Sequence, residues 1–569
     1  MKKEKKAIKI DFSRKRLERL TDKYYVEGDF LSSLTFAYRQ LQYYGGTKDL
    51  YARLADVYEG MNLQGMAINW WFRFLDLAEE YDLPDVYEGL AVNYLSMGQD
   101  STSAYYYNQL IDVDDTLPDE TKLDIAEAFS VPKKERFRFV YPPRLADYSE
   151  EVRLGAKALK EGACAQAVET LSKVEKGSKQ FAHAKEMQAV AHLLEGDTDA
   201  AKEACEQLLK EYPDDVRAIA TLAAVYIEKK ELEKSKELAL RLSKITTEDP
   251  EELYKIATVC CENDLPNEAY EKLCLLDKKT PYDGRILYFK AVSAYKSGRL
   301  DKAIEALETI RTIYPDAEVA KYYLKELKAY KEYGGEAPEL IYFYHLPQEE
   351  REHRCQTLMR VCGAPKDEAE IFGIILEEEG YFRWCFDEMD GGDQELQYLG
   401  LVAAAKVNAE AFIRDVLLDY EVADVLKIET LRMLLERNEE GEFGFVLYNI
   451  YKKVRLPRIS IGRKRRKKFI EAFAKVASKF VALKDSYGEK IKRASETLYR
   501  ALEGYGSLDL VDSVDDCACA IFMMTGLKEL GNNPAVIASA FDANMDKVKV
   551  LLAAALSDEF GVKKEGQEE

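Results

Sequence analysis

The 569-residue sequence lacks the long apolar segments of membrane and secreted proteins. No stretch of about twenty apolar residues occurs, so no transmembrane helix is expected. The opening stretch MKKEKKAIKIDFSRKR has no apolar core, and residues 1–13 are interpreted as a basic leader rather than a secretory signal. The ten cysteines lack paired spacing and fall in helical patterns, which predicts free buried thiols in a reducing cytoplasm.

The motifs of common catalytic and cofactor sites are also missing. The sequence has no Gly-rich phosphate loop, no nucleophile elbow and no paired-Cys zinc spacing. His353, Cys355 and Cys362 are close in sequence, but a metal site needs three or four ligands in a suitable geometry, and buried structural thiols are the alternative. His183 and His192 are interpreted as packing or groove-lining residues. The sequence therefore predicts no enzyme, no metal and no cofactor, with an enzyme lacking any recognisable motif kept as a third hypothesis.

The sequence lacks an excess of positive charge: 103 acidic residues outnumber 82 lysines and arginines, and the formal net charge is −21 at pH 7. This disfavours nonspecific nucleic-acid binding by the whole surface. The exception is 452–468, KKVRLPRISIGRKRRKK, which holds ten basic residues and no acidic one. Because these cations precede a helical pattern and oppose its dipole, an anion is expected nearby: nucleic-acid phosphate, anionic lipid or an acidic strip of this protein. A merely solvated linker is the remaining interpretation. The candidate anion-binding residues are Arg463, Lys464, Arg465, Arg466, Lys467 and Lys468.

The sequence does contain a 34-residue repeat. Steps of 34 back from Gly298 give breakers or polar turn formers, at Asp264, Lys230, Gly196 and Gly162. The same steps from Ala291 and Ala303 give almost only small residues: Ala257, Ala223, Ala189 and Gly155, then Ala269, Ser235, Ala201 and Ala167. Three copies end in proline, at Pro213, Pro281 and Pro315. Five copies in register over 148–317 predict stacked helix pairs whose small residues permit a close helix crossing.

This pattern resembles the tetratricopeptide repeat family. The resemblance extends, more weakly, to YARLADVYEGMNLQGMAINWWFRFL and YEGLAVNYLSMGQDSTSAYYYNQL near the N-terminus, preceded by the degenerate copy YYVEGDFLSSLTFAYRQL. About eight helix hairpins are thus expected, interrupted at 113–147 by one possible helix near 119–130 and a basic linker. The family's fold implies an α-solenoid, in which each hairpin buries its apolar face against its neighbours.

The remaining chain is predicted to be helical outside this register. Residues 318–333 are expected to close the repeats, and YGGEAPEL marks a boundary near 334–338. A region loosely similar to HEAT repeats follows, then a short extended element near 442–456. The predicted fold class is all-α, an α-solenoid followed by further helical repeats and a C-terminal helical domain. The expected divisions are 1–13, 14–112, 113–147, 148–333, 334–440, an extended and basic linker 441–463, 464–556, and a disordered tail 557–569.

Residues 513–556 resemble the last helices of a cyclin-type repeat of general transcription factor IIB, or a related helix-turn-helix. Ala538 and Val548 would fill the packing positions of the turn. The sequence departs from the pattern at Asp542, where glycine is usual, and at the helix start with Met545 and Asp546. Since base readout favours Arg, Asn or Gln at the helix start, a structural helical bundle is favoured over DNA reading.

The tetratricopeptide resemblance implies a concave groove lined by the first helix of each hairpin, a surface that binds extended peptides or helices. None of the ninth positions of the five repeats holds asparagine, so the family's clamp for acidic peptide tails is not implied. The groove positions carried over from the family are His183, Glu186, Val190, Leu193, Arg217, Ala224, Ile227, Tyr254, Thr258, Cys261, Arg285, Tyr288, Val292 and Tyr295.

This strip is mostly apolar or aromatic, which favours an apolar or amphipathic partner segment. The alternative is that the same side chains pack against 334–440. The first hypothesis for function is therefore a non-catalytic, cytoplasmic scaffold that binds a protein or peptide partner. The second is a nucleic-acid-associated regulator that senses through its repeats and binds through its C-terminal part.

Overall fold

The computed structural model describes residues 13–114, 116–118, 120–123, 125, 148–176, 178, 180–387, 393–438 and 440–559. They fall into two compact units. One unit combines the chain up to Phe129 with the chain from Pro347 onwards, and the other is Ser130–Leu346. The expected basic leader, the linker up to 147 with most of the helix expected before it, and most of the expected tail lie outside the described residues.

The first unit begins with three helix hairpins. In each, two small residues twelve positions apart are buried at the helix crossing: Thr21 with Ser33, Ala55 with Ala67, and Ala91 with Ser103. Where serine occupies the second position its hydroxyl is satisfied locally, because Ser33 Oγ donates to the Thr21 carbonyl at 2.9 Å and Ser103 Oγ to the Ala91 carbonyl at 2.8 Å. The helices are α1 (Arg14–Val26), α2 (Phe30–Tyr44), α3 (Lys48–Gly60), α4 (Gln64–Leu77), α5 (Leu83–Ser96) and α6 (Asp100–Val113), with a 3-10 turn at Glu80–Asp82.

The second unit contains the five hairpins in register. Its predicted small positions are buried from Gly155 to Ala303, as the helix crossing requires. The helices are α7 (Ser149–Lys160), α8 (Cys164–Leu171), α9 (Phe181–Leu194), α10 (Thr198–Glu211), α11 (Val216–Glu228), α12 (Leu232–Ser243), α13 (Pro250–Glu262), α14 (Pro266–Lys279), α15 (Gly284–Lys296), α16 (Leu300–Ile313) and α17 (Glu318–Tyr333). Residues 334–347 are not helical.

A second set of residues also recurs at intervals of 34. Asp215, Asp249 and Asp283 precede α11, α13 and α15, and their carboxylates accept hydrogen bonds from first-turn amides at 2.8, 2.8 and 3.0 Å. Such caps satisfy donors that a helix leaves unpaired at its start. They fix where the first helix of each of these hairpins begins.

The turn inside every hairpin contains one residue with a left-handed backbone. Its φ lies between 51° and 81° in all eight hairpins. Five of the turns use glycine, the residue that adopts this conformation without a steric penalty. The eight residues are Gly28, Asn62, Gly98, Gly162, Gly196, Lys230, Asp264 and Gly298.

The chain after 347 completes the first unit. The extended element expected near 442–456 is confirmed as an antiparallel hairpin, whose two-residue turn Tyr448–Asn449 has positive φ at both residues. The elements are α18 (Gln348–Gly363), α19 (Lys366–Glu378), α20 (Tyr381–Asp387), α21 (Gln394–Val407), α22 (Glu410–Leu418), α23 (Asp424–Glu436), β1 (Gly441–Leu447), β2 (Ile450–Leu456), α24 (Arg466–Phe480), α25 (Asp485–Gly504), α26 (Val514–Thr525), α27 (Pro534–Ala540) and α28 (Met545–Glu559), with a 3-10 turn at Leu508–Leu510.

Polar side chains join the two distant parts of the first unit. Asn69 on α4 donates to Asp419 at 3.1 Å, and its carbonyl oxygen accepts from the Tyr420 amide at 3.0 Å. Arg73 contacts Asp415 at 3.0 Å, and the Tyr106 hydroxyl donates to the Asn449 carbonyl at 2.8 Å. The N-terminal hairpins therefore pack with α22 and the β hairpin. Over the described residues the fold is all-α apart from that two-stranded sheet, which confirms the predicted fold class.

Candidate functional site

The first helices of the hairpins in the second unit carry the predicted groove residues. Glu186, Cys261, Tyr288 and Val292 are buried. The other ten are partly or fully exposed, namely His183, Val190, Leu193, Arg217, Ala224, Ile227, Tyr254, Thr258, Arg285 and Tyr295. The accessible part of the set is concentrated on α9, α11 and α13.

A chain of polar contacts runs across these three helices at the start of the groove. Arg217 donates to Glu251 at 2.8 Å through one terminal nitrogen, and its other terminal nitrogen lies 3.2 Å from His183 Nδ1. These three residues occupy the same position in successive repeats, 34 residues apart. The arginine thus links its own helix to both neighbours, a set of contacts that the sequence interpretation missed.

A buried ion pair lies one turn further along. Glu186 on α9 contacts Lys255 Nζ on α13 at 3.1 Å, and its other oxygen is 3.6 Å from His183 Nδ1. Burial alone would raise the pKa of Glu186, but His183 and Lys255 more than compensate and hold that pKa below its ordinary value. The intervening helix carries the small residue Ala220 at the position equivalent to Glu186, which leaves room for the contact. Sequence reasoning missed Lys255.

The far end of the groove is filled by the chain itself. The non-helical segment 338–346, PELIYFYHL, lies against α15 and α17, with Leu340 and Leu346 buried. The Tyr288 hydroxyl donates to the Ile341 carbonyl at 3.1 Å, and its ring meets Tyr344 edge-on with 4.9 Å between the ring centroids. Further along, the Tyr323 hydroxyl donates to the His345 carbonyl at 3.1 Å.

This packing corrects the prediction for Tyr288 and Val292 as partner-binding residues. Both are fully buried, and the hydroxyl of Tyr288 is already hydrogen bonded within the unit. Burial also raises the pKa of Tyr288 well above its ordinary value, so the phenol stays neutral and acts as a donor. On α15, Tyr288 therefore packs against the chain after residue 334, which is the alternative that the sequence left open for the groove residues.

Cys261 is also removed from the accessible groove. Its thiol is buried, with Sγ 4.0 Å from Ser293 Oγ, and burial raises its pKa to about 12. Burial likewise raises the pKa values of Cys205 and Cys260 to about 12. These thiols are inert as nucleophiles at neutral pH. Seven of the ten cysteines are buried.

The predicted anion-binding residues divide into paired and unpaired cations. Lys464 and Arg465 contact Asp509 at 2.9 and 3.6 Å, and Lys468 donates to the Asp512 carbonyl. Lys467 is 3.8 Å from Glu471, whereas in the described part of the chain neither Arg463 nor Arg466 forms an ion pair. An acidic stretch of this protein thus neutralises part of the basic run.

Arg466 lies at a shallow cleft of about 420 Å³. Arg458 and Arg500 line the same cleft, together with Ser460, Tyr499 and the carboxylate of Glu503. Three guanidinium groups therefore surround this space, opposed by the carboxylate of Glu503 and by that of Glu496, which contacts Arg500 at 3.3 Å.

The last three helices include a turn of the predicted kind. Asp542, between α27 and α28, has a φ of 58°, and Ala538 and Val548 are both buried beside it. The start of α28 presents Asp546, which pairs with Lys549 at 3.2 Å. A carboxylate in that position repels DNA phosphate, so the helical-bundle interpretation is favoured, and the resemblance to a cyclin-type repeat stays a prediction.

The remaining histidine and cysteine sets each lie on one helix. His353, Cys355 and Cys362 share α18, and His183 and His192 share α9. Within the described parts of the chain, no three or more His, Cys, Asp or Glu side chains are grouped to hold a metal ion. None of the helices described is long and apolar enough to cross a membrane.

Comparisons with known proteins locate the repeats. Two sequence models of the tetratricopeptide repeat family match residues 192–257 and 287–317. No curated protein matches the chain. Both matched segments lie inside the five hairpins that share the 34-residue register and the left-handed turns.

Solved structures of low similarity also match. MamA of AMB-1 is 17% identical over 29% of this chain and 90% of its own, with a TM-score of 0.22. The TPR2AB domain of yeast Sti1 in complex with pHSP90 is 17% identical over 47% and 97%, with a TM-score of 0.18. Cut9 with Hcn1, from the APC/C, is 14% identical over 56% and 57%, with a TM-score of 0.27.

The assignment of the repeats rests on the matched segments and on the repeat geometry around them. Helix pairs with buried small residues at their crossings recur every 34 residues, and both family matches fall among them. The chain therefore contains tetratricopeptide repeats within this repeated segment, at residues 192–257 and 287–317.

Proposed function

We propose that the chain is a non-catalytic scaffold that binds a segment of a partner protein in the groove of α9, α11 and α13. The observation that carries the proposal is the segment 338–346, which already lies against the adjoining helix α15. It is non-helical, apolar and aromatic, and its backbone carbonyls accept hydrogen bonds from tyrosine hydroxyls. The partner is proposed to resemble it.

The open part of the groove offers matching chemistry. Val190 and Ala224 are apolar and remain partly exposed, as does Thr258, whose hydroxyl donates to the Tyr254 carbonyl of its own helix at 3.1 Å. Tyr254 is partly exposed beside them, and a half-buried tyrosine is a frequent anchor of interfaces because its rigid ring covers a large area. An apolar or amphipathic peptide satisfies these contacts by placing its side chains against the helices.

The charged residues at the start of the groove do not call for a charged partner. Arg217 and Lys255 are each paired with a glutamate, Glu251 and Glu186, so the cluster is balanced internally. Their ion pairs hold three successive first helices together. Their proposed role is to set the spacing of the groove rather than to attract an acidic tail. A cytoplasmic location, expected from the cysteine pattern, belongs to the same proposal.

The test begins with a display library of about twelve-residue peptides selected on the full-length protein. The selected peptide is then measured by fluorescence anisotropy against Val190→Glu combined with Ala224→Glu. Both substitutions place a desolvated charge in the groove, so the Kd is expected to rise at least tenfold. Leu240→Glu, on the second helix of a hairpin, is the matched control and should bind like the parent. Unchanged binding by a folded double variant would remove the groove from the proposal.

A second candidate function, phosphate-backbone binding, is favoured by the arginines around the cleft. Arg463 and Arg466 form no ion pairs in the described part of the chain, and Arg458 and Arg500 line the cleft beside Arg466. The full-length protein is to be titrated with random-sequence DNA and RNA at two ionic strengths, beside Arg463→Ser combined with Arg466→Ser. Binding that weakens steeply with salt and is lost in the variant would support a nucleic-acid-associated regulator. If the parent protein does not bind DNA or RNA at low salt, this second candidate function is wrong.

A further inference from the structure

Helix α19, in the first unit, exposes an apolar face. The side chains of Ile371, Ile374 and Ile375 are 69%, 65% and 47% exposed. Their spacing of three and four residues places them on one side of the helix as a continuous strip. Isoleucine is not a strong helix former, because its branched side chain has few allowed rotamers in a helix. Leaving its side chain in water also costs free energy, so helix formation alone does not explain why three isoleucines are exposed here.

The opposite face holds α19 in place. Ala369, Gly373 and Leu376 are buried, and their spacing of four and three residues defines one side. Gly373 touches α21 so closely that an added Cβ would lie 2.5 Å from the Cβ of Val407. This contact fixes the rotation of the helix. The isoleucine strip is therefore turned away from α21 as a consequence of packing.

Carboxylates bracket the strip at both ends. Glu368 lies three residues before Ile371, and Glu378 and Glu379 lie four residues after Ile374 and Ile375. No lysine or arginine occurs between 368 and 382. In the described part of the chain none of these three glutamates forms an ion pair, and all three are exposed. The surface combines an apolar centre with an acidic rim.

We infer that α19 is a docking surface for a basic amphipathic helix of another protein. The apolar strip of that helix packs on Ile371, Ile374 and Ile375, and its lysines or arginines pair with the glutamates at the two ends. Charge selects this occupant over two others. A second copy of this chain would bring the same carboxylates face to face, and an anionic lipid surface would be repelled in the same way.

The probe is a synthetic leucine–lysine peptide of about 18 residues, long enough to form a helix, with its leucines on one face. It is titrated into the full-length protein by fluorescence anisotropy, beside a peptide of identical composition whose leucines are scattered around the helix. The amphipathic peptide is expected to bind at least tenfold more tightly than the scattered one. A photoreactive copy should cross-link within 366–379 when the products are mapped by mass spectrometry.

Two variants separate the apolar and electrostatic parts. Ile371→Ser, Ile374→Ser and Ile375→Ser together should weaken binding at least tenfold while leaving the circular dichroism melt unchanged, because these side chains are exposed. Glu368→Gln, Glu378→Gln and Glu379→Gln together should weaken binding at low salt and flatten its salt dependence. Leu194→Ser with Leu232→Ser removes two leucines that are 64% and 60% exposed elsewhere, and serves as the control.

Three results would overturn the inference. The first is equal affinity of the parent and the triple-serine variant for the amphipathic peptide. The second is cross-linking of the peptide outside α19. The third is self-association of the parent in sedimentation velocity that disappears in the triple-serine variant, because the occupant would then be a second copy of this chain.

Discussion

At the scale of single residues, the hairpin turns differ in how well they suit a left-handed backbone. Glycine fits without penalty, and Asn62 and Asp264 tolerate the conformation better than most residues. Lys230, with a φ of 59°, is the poorest match, and its side chain is exposed. The 34-residue spacing could predict that position 230 is a turn, but not that the chain accepts strain there.

Replacing Lys230 with glycine should therefore stabilise the protein. The left-handed conformation costs a non-glycine residue about 1–2 kcal/mol, and glycine avoids this cost. The greater freedom of glycine in the unfolded state offsets about 0.5–1 kcal/mol of that gain. The expected gain is about 0.5–1 kcal/mol in urea denaturation followed by circular dichroism. Gly196→Lys, at the equivalent turn of the preceding hairpin, is the mirror control and should lose a similar amount. A lower midpoint for Lys230→Gly would contradict the reasoning.

The buried pair of Glu186 and Lys255 predicts a dependence of stability on pH. Because the pKa of Glu186 is lowered in the folded state, the carboxylate contributes stability above its ordinary pKa of about 4.5. That contribution is lost as the pH falls through the lowered value. The stability difference between the parent and Glu186→Gln should thus be largest at neutral pH and shrink below about pH 4.5.

Parallel denaturation of both proteins at several pH values measures this difference. Glu206→Gln, on the exposed side of α10, is the control for loss of a surface carboxylate. If the difference in stability stayed constant from pH 7 to pH 3, the contribution of Glu186 to stability would not depend on its charge.

At the scale of elements, the close crossing of α15 and α16 depends on Ala291 and Ala303, both fully buried. Leucine at position 303 must push the helices apart or adopt a strained rotamer, at a cost of about 1–3 kcal/mol. The expected result for Ala303→Leu is faster hydrogen exchange in 284–313 together with a lower denaturation midpoint. Lys302→Leu adds leucine at the adjacent exposed position and should change stability by less than about 0.5 kcal/mol. Equal behaviour of the two variants would argue against the proposed crossing.

The sequence could predict these crossings because the facing residues are only twelve positions apart and recur with one period. The repeat register likewise predicts which residues line the open groove. The position of the segment 338–346 could not be predicted in this way. The glycines that precede it and the proline at its start indicate a boundary, and its contact with Tyr288 joins residues more than fifty positions apart. Lys255 was missed for the same reason, since its partner Glu186 lies two hairpins away.

At the scale of the whole molecule, the first unit depends on contacts between residues that are more than 340 positions apart. Nothing in a single sequence identifies such pairs, since both sides read as ordinary amphipathic helices. Arg73 is central to this contact. It donates to Asp415 at 3.0 Å, and its guanidinium lies over the Trp70 ring, 4.7 Å from the centroid. Arg73 and Arg383 together hold the pKa of Asp415 below its ordinary value despite burial, which alone would raise it.

Arg73→Ala should therefore destabilise the first unit by about 1–3 kcal/mol, less than the loss of a fully buried pair because both partners keep some exposure. All three tryptophans, Trp70, Trp71 and Trp384, lie in this unit, so intrinsic fluorescence reports its unfolding. A double-mutant cycle with Asp415→Ala separates the coupling from the loss of each side chain. A coupling energy near zero would mean that the contact does not hold the two parts of the chain together.

The division of the first unit between two distant stretches of chain also sets an order of events on the ribosome. The hairpins before Phe129 are synthesised first, but α22 and the β hairpin that pack against them follow only after the whole of Ser130–Leu346. Helix α22 begins about 280 residues after Phe129, which at the usual pace of translation is a delay of roughly fifteen to sixty seconds. Until α22 has been synthesised, the side of α4 that carries Asn69 and Arg73 has no cover, whereas the second unit has all its residues as soon as Leu346 has been added. The second unit should thus fold before the first is complete. The hairpins before Phe129 are then the part of the chain most in need of a chaperone.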